Sequence, residues 1–308
     1  MKKVKTVYDH IRSNNIKTII LVALFPIIFI ALVFLFAWIV VPAADAVRVA
    51  AGVALPTMLG CLIWMGISWA FGDSMMLSVA GAKEIHDTDP ANRQIFRSVE
   101  NVALAAGLPT PRVYIIEDDS MNAFATGRGP RDASVALTRG IIKRLDRLEL
   151  EGVIAHEMAH IGNRDIRLDM LLITGVGVTV FAADILLRVI ASGGARNDDN
   201  KSSGAVLMMV WLAFMVFNFL ITPLLRMAIS RNREYAADAT GAQITRNPAA
   251  LASALRKITT DSRVECLDKV KAMSAMCIAN PRGPREFIGD MLATHPPVEK
   301  RIARLESM

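Results

Sequence analysis

His156-Glu157-Met158-Ala159-His160 sets two imidazoles four residues apart. On a helix that spacing brings both rings to one face, where they can share a tetrahedral metal ion. Glu157 projects beside them and can take a proton from the water such an ion activates. The chain has only five histidines, and with that composition the pattern arises by chance in roughly three chains per thousand. A pair of idle surface histidines is therefore the poorer reading. Two histidines still leave the ion short of a protein ligand. One known solution is a third histidine six residues after the second, but Ile166 stands there, and Asn163 stands where the accompanying glycine would be. The other is a carboxylate from a separate helix. Arg233-Glu234-Tyr235-Ala236-Ala237-Asp238 offers two, again four apart on one face. Glu234 could bind the metal while Asp238 accepts the remaining ring N–H of a ligand histidine.

These side chains need rigid elements to hold them. Asp146 with Glu149 three residues on reads as a capping box that opens a helix running to about Asn163. Residues 227–244 read as the helix carrying Glu234 and Asp238. Asn247-Pro248 starts another helix and Pro296-Pro297 the last. Upstream, Asp89 is expected to cap a helix with Pro90 in its first turn and Gly107 at its end. Three short apolar runs follow at 112–116, 121–126 and 133–138. The last two are joined by the turn-rich link 127–132 and read as a hairpin. Residues 261–293 carry no clear pattern.

Composition places these elements beside a membrane. Hydrophobic residues make up 53% of the 308 and charged ones 21%, more apolar than the 45–50% usual for a soluble domain. The excess lies in four stretches, 19–41, 47–71, 170–190 and 205–225. At 1.5 Å per residue each can cross ~30 Å of hydrocarbon. The first is too long for a signal-peptide core and has another span directly behind it. Lys2, Lys3, Lys5, Arg12 and Lys17 precede span one, Arg164 and Arg167 precede span three, and Arg226, Arg231 and Arg233 follow span four. The short connectors carry fewer cations, so both termini and the larger segments are expected on the inside. The net charge of +6 is spent beside the spans rather than gathered with aromatics on one face, so no nucleic-acid partner is expected. Cys61, Cys266 and Cys277 are too few and too scattered for a disulfide framework or a thiolate zinc site. Asp184 and Arg188 in span three are four apart and can pair on one helix face. A structural pair is the simpler reading, a role in function the other. The expected organisation is a tail and transmembrane hairpin over 1–72, a soluble part over 73–167, a second hairpin over 168–226 and a second soluble part over 227–308.

In this order, the histidine pair and the Glu234–Asp238 segment resemble the HtpX family of membrane-embedded zinc metalloproteases, relatives of the eukaryotic CAAX prenyl protease. Asn122-Ala123-Phe124-Ala125-Thr126-Gly127 is similar to the family's substrate-side strand, and Thr294-His295-Pro296-Pro297 to its C-terminal motif. The resemblance covers nearly the whole chain. It implies a mainly α protein, with four transmembrane helices and a gluzincin-like α+β protease domain with a small sheet at the cytoplasmic face. It further implies one zinc ion at His156, His160 and Glu234, Glu157 as the base, and hydrolysis of damaged or misfolded membrane proteins in the bacterial inner membrane, within stress-related quality control.

On that footing an extended substrate should pair with the strand formed by Asn122, Ala123, Phe124, Ala125 and Thr126, the alternative being a buried strand of a small sheet. His295 stands just before a helix N-terminus, which favours a neutral ring. It is a candidate donor to the oxygen on which negative charge develops, the alternative being a cap of the last helix. Three other functions compete. A prenyl-peptide processor would need a large intramembrane chamber, for which four spans are few. A membrane scaffold or holdase would have no reason to keep Glu157. A transporter would need more ionisable groups within the spans than occur here.

Overall fold

The computed structural model describes residues 43–191, 207–217, 219, 231–260 and 296–308, with scattered helical positions between 12 and 38. The chain folds as two compact units. One comprises Met1–Asn15, Phe71–Met170 and Arg226–Met308, the other Ile16–Ala70 and Leu171–Leu225.

The first unit is built on a four-stranded sheet in the order β1-β2-β4-β3, with β1 Ala82–Ile85, β2 Arg112–Ile116, β3 Ala123–Thr126 and β4 Ser134–Thr138. β2 and β4 run parallel, pairing Val113 with Val135 and Ile115 with Leu137. β1 is antiparallel to β2, and β3 antiparallel to β4 with Ala125 opposite Val135. The two later apolar runs thus form the expected antiparallel pair, bridged by a short 3-10 turn at Pro130–Asp132. β3 is an edge strand, yet all four of its residues are buried. Ladder parity explains how its backbone is used. Thr138 N–H donates to the Asn122 carbonyl, so Phe124 and Thr126 also face β4 and the backbone groups of Ala123 and Ala125 face the open edge.

Helix α1, Ala43–Val79, precedes the sheet. Its last turns, with Met76 and Leu77 buried, belong to this unit, and Thr126 Oγ1 meets Met76 Sδ at 3.6 Å. α2, Arg93–Ala105, begins three residues later than the sequence suggests. Asp89 instead closes a turn, accepting from the Ala91 N–H and the Asn92 side chain, and Asn92 takes the cap position. Gly107 does end the helix, at φ +66°, with Leu108 N–H returning to Ala103 O and Gly107 N–H to Leu104 O. α3, Arg139–Arg144, is capped by the Thr138 hydroxyl. Neither α3 nor β1 was expected.

α4, Arg147–Gly162, lies at the centre and has eleven buried residues among its sixteen. A helix so apolar on every side has to be enclosed, and it packs against α2, β3, α7 (Arg231–Thr245) and α8 (Pro248–Thr260). Glycines let two of those helices approach. A Cβ on Gly152 would stand 3.2 Å from Leu251 Cα, and one on Gly241 would stand 3.0 Å from the His156 nitrogen. Asn247 caps α8 through its side-chain oxygen on Ala250 N–H, and α9, Val298–Glu306, follows Pro297. The core joins Val113, Val135 and Leu137 of the sheet to Val153, Ile154 and Met158 of α4 and Leu251 and Leu255 of α8.

In the second unit, expected span two lies within α1. Among the described residues, Met58–Val79 of that helix is the one segment long and apolar enough to cross a membrane. Leu55, Leu59, Leu62 and Ile63 are exposed on α1. Span three falls in α5, Asp165–Ala191. There Arg188 Nε donates to Asp184 Oδ2 at 2.8 Å, and both side chains are exposed. Leu207–Phe217, here α6, is an apolar helix within span four. Much of span one and residues 261–295, with His295 among them, lie outside the described residues.

Candidate metal centre

The capping box that orients α4 forms in full. Asp146 Oδ1 accepts from Glu149 N–H and Glu149 Oε2 from Asp146 N–H, both at 2.9 Å. Glu149 also accepts from Ser253 Oγ at 2.7 Å and Lys257 Nζ at 2.6 Å, which fixes α8 to the start of the same helix. Two turns further on, the His156 and His160 rings meet edge to face, with centroids 4.7 Å apart and an interplanar angle of 88°. Their Nε2 atoms are 3.2 Å apart.

α7 brings the carboxylate. Glu234 Oε1 lies 3.6 Å from His160 Nε2 and Oε2 lies 3.7 Å from His156 Nε2. One donor atom from each of the three residues falls within 4.8 Å of the others. Donors around a tetrahedral zinc ion at about 2.05 Å would be about 3.3 Å apart, so this set is close to the required size. The ring nitrogens facing away support the same use. His156 Nδ1 meets Asp238 Oδ1 at 3.0 Å and His160 Nδ1 meets Asp165 Oδ2 at 2.8 Å. A proton held on each Nδ1 leaves both Nε2 lone pairs directed at Glu234. The residues present therefore fit a divalent metal of zinc's preferences.

Two arginines balance this concentration of carboxylates. Arg301, on α9 and wholly buried, donates to both oxygens of Asp238 at 2.7 and 2.8 Å and lies 3.5 Å from Glu234 Oε2. Arg304, three residues on, stacks its guanidinium 3.6 Å over the Tyr235 ring. Arg233 is buried and donates to Asp169 at 2.8 Å. Burial opposes the charge on Asp238, but Arg301 outweighs it and holds that carboxyl down at about 2. Burial, with Arg301 adding to it, keeps His156 below its ordinary value. For His160 burial is overcome by Asp165, Glu234 and Glu157, which raise the ring to about 9. Glu157 is pushed up to about 7 by burial, with Glu234 adding repulsion.

Glu157 accepts the Ala125 N–H of β3, so the base lies against the open edge of the strand. Ala123 N–H, on the same edge, is covered by Asn122 Oδ1 at 2.9 Å. The structure thus brings His156, Glu157, His160, Glu234 and Asp238 together and sets Asn122, Ala123, Phe124, Ala125 and Thr126 alongside. Asp165, Asp169, Arg233 and Arg301 were missed as parts of the centre. A signal for Arg301 did exist, because Val298, Ile302 and Leu305 form an apolar stripe and Arg301 falls on it. Asp165 gave no such signal, being five residues from His160 and off its face on any continuous helix.

Residues 90–308 match the profile of Peptidase family M48. The chain belongs to that peptidase family, as the arrangement around α4 suggests. Its relatives there are HtpX-type proteases. It is 37% identical to "Protease HtpX homolog" of Bacteroides fragilis over 95% of this chain and 96% of that one. It is also 37% identical to the homologue from Caldanaerobacter subterraneus, over 99% and 98% of the two chains. Among solved structures, the crystal structure of S. mikatae Ste24p aligns with a TM-score of 0.45 and 18% identity, over 90% of this chain and 61% of that one.

Proposed function

We propose that this chain is a zinc-dependent endopeptidase of the bacterial inner membrane. Its site faces the cytoplasm and cleaves misfolded or damaged membrane proteins. The observation that carries the reading is the convergence of His156, His160 and Glu234 on one point, with Glu157 beside it against an open strand edge. Zinc bound there would polarise the scissile carbonyl and bring the pKa of the attacking water to about 7. Glu157 takes the proton from that water as the C–O bond forms, and delivers it to the leaving amine as the C–N bond breaks. Buried against β3, this carboxylate is kept from bulk water and can hold the proton between the two steps. An extended substrate would align along β3, whose Ala123 and Ala125 carbonyls face the edge while their N–H groups are held by Asn122 Oδ1 and Glu157.

The membrane setting is supported by the apolar helix Met58–Val79, by the exposed leucines of α1 and by the relatives' HtpX identity. The cationic flanks of the spans favour a cytoplasmic site. The deciding experiment is zinc content and casein cleavage on one detergent-purified sample, with and without chelator. One zinc per chain and chelator-sensitive cleavage are expected, and full zinc without cleavage would favour a scaffold. Orientation is tested in a background without native cysteines. Ser202→Cys should react with an impermeant thiol reagent in intact cells. Asn101→Cys, exposed on α2, should react only after permeabilisation. The reverse labelling would place the site outside.

A further inference from the structure

We infer that Asp165 is a positioning residue for the second histidine of the metal centre, set in place by a left-handed turn at Arg164 and braced by Arg233. The inference rests on the metal-centre reading above. Five residues along an unbroken helix would carry Asp165 about 140° away from His160. The chain avoids this by stopping α4 at Gly162. Asn163 caps the helix, Arg164 takes φ +59°, and α5 begins at Asp165. A non-glycine residue pays a steric penalty in that region, and the result here is a carboxylate folded back onto the His160 ring at 2.8 Å.

Both oxygens of that carboxylate are engaged. Oδ2 meets His160 Nδ1, and Oδ1 faces Arg233 Nη1 at 3.5 Å. Arg233 in turn donates through Nη2 to Asp169 Oδ1 at 2.8 Å and Oδ2 at 3.1 Å. All three side chains are buried. An acidic residue that served only to start α5 could do so from solvent, without the cost of desolvating its charge. Arg233 also immediately precedes Glu234. A short buried path therefore leads from His160 through Asp165 and Arg233 to the backbone of the third donor residue. Each metal-binding imidazole has its own carboxylate from a different helix, Asp238 of α7 on His156 and Asp165 of α5 on His160. Asp165 keeps the proton of His160 on Nδ1 and the lone pair of Nε2 aimed at the ion.

The test compares full-length wild type with Asp165→Asn and Arg164→Val in detergent. It reads zinc affinity by chelator competition, the visible spectrum of the cobalt-substituted protein, and the thermal midpoint of the metal-free form. Asn keeps the size and polarity of the side chain but not its charge. Val keeps the carboxylate but disfavours the left-handed turn. Both variants should bind zinc about 10–100-fold more weakly and show an altered cobalt spectrum while the metal-free protein stays folded, its midpoint near wild type in Asp165→Asn and lowered only by the strained turn in Arg164→Val. Wild-type affinity in both variants, or a loss of zinc that merely follows unfolding of the metal-free protein, overturns the inference. A wild-type protein that binds no zinc defeats the metalloprotease reading itself, which the same titration reports separately.

Discussion

Gly241→Ala tests whether the spacing of two helices sets the metal centre. Gly241 lies two turns after Glu234 on α7 and faces the residue that supplies the first ligand. A Cβ there would stand 3.0 Å from His156 N, 3.2 Å from His156 Cα and 3.3 Å from the carbonyl carbon of Ala155. All three are backbone atoms of α4, so no side chain can swing aside. Contacts this close are tighter than ordinary non-bonded ones, so the helices must part by a few tenths of an ångström. Alanine gains about 1 kcal/mol over glycine inside a helix, while overpacking costs about 1–3 kcal/mol. The metal-free protein should therefore lose roughly 0–2 kcal/mol. The effect on the ion is larger in proportion, because the residue pushed is His156. Its 3.0 Å contact with Asp238 would lengthen and weaken, and its 3.7 Å gap to Glu234 would open further. A zinc affinity about 10–100-fold weaker is expected. Gly162→Ala is the control, since its Cβ would find only Leu108 methyl carbons, at 3.5 and 4.0 Å. That change should stabilise by about 0.4–1 kcal/mol and leave zinc affinity unchanged. Denaturation and chelator competition on both purified variants decide the matter. Wild-type zinc affinity in Gly241→Ala, or a stability gain matching that of Gly162→Ala, would refute the argument.

Further outcomes follow from the same geometry. Glu157→Gln should keep one zinc per chain and lose turnover, whereas His156→Ala, His160→Ala and Glu234→Ala should each lose zinc; metal analysis of the four proteins separates base from ligands. Zinc must displace the proton that His160 holds up to about pH 9 in the metal-free protein. Apparent zinc affinity should thus tighten about tenfold per unit from pH 7 to near 9 and then level off, and a flat profile would contradict the raised imidazole. Glu149→Ala removes bonds to Asp146, Ser253 and the half-exposed Lys257, and should cost about 2 kcal/mol in denaturant at pH 7. The hydrogen bonds from Lys257, Ser253 and Asp146 outweigh burial and hold the Glu149 carboxyl below its ordinary 4.5. Its contribution is therefore full above that value and lost as pH falls through the lower folded one, so the variant's deficit should shrink in acid.

What could be read from the chain in advance was what is local to it. The capping box at Asp146, the Gly107 stop, the Asn247 cap and the antiparallel pairing of β3 with β4 each depend on residues a few positions apart, and each forms. The missed elements lack that kind of signal. β1 is four residues with two charges, Ala82-Lys83-Glu84-Ile85, and gains its order from pairing with β2 some thirty positions away. α3 is six residues long and relies on the Thr138 hydroxyl. The parallel alignment of β2 with β4 is a property of the assembled sheet, which no short window contains. Asp89 failed as a cap for another reason. Its side chain reaches Ala91 and Asn92 equally well from a turn, and the turn prevailed.

The centre divides along the same line, and the division says what holds it. The histidine pair could be read because four residues of helix bring both rings to one face. Glu234 required the further inference that an unfilled coordination site recruits a carboxylate from another helix. Beyond those residues the signal fades, since the remaining groups answer to charge and not to helical period. Five buried carboxylates, Glu157, Asp165, Asp169, Glu234 and Asp238, surround the two rings, and Arg233 and Arg301 are the buried guanidiniums set against them. Leaving either arginine out would strand charge in a site from which water is largely excluded, at a cost of about 3–5 kcal/mol. Each arginine therefore has to come from whichever element happens to pass. One is the neighbour of Glu234, and the other arrives on a nine-residue helix at the far end of the chain. Arg301 on the apolar stripe of α9 marks that need. A cation placed where a leucine would pack has a buried anion to meet, and here that anion is the carboxylate that orients His156.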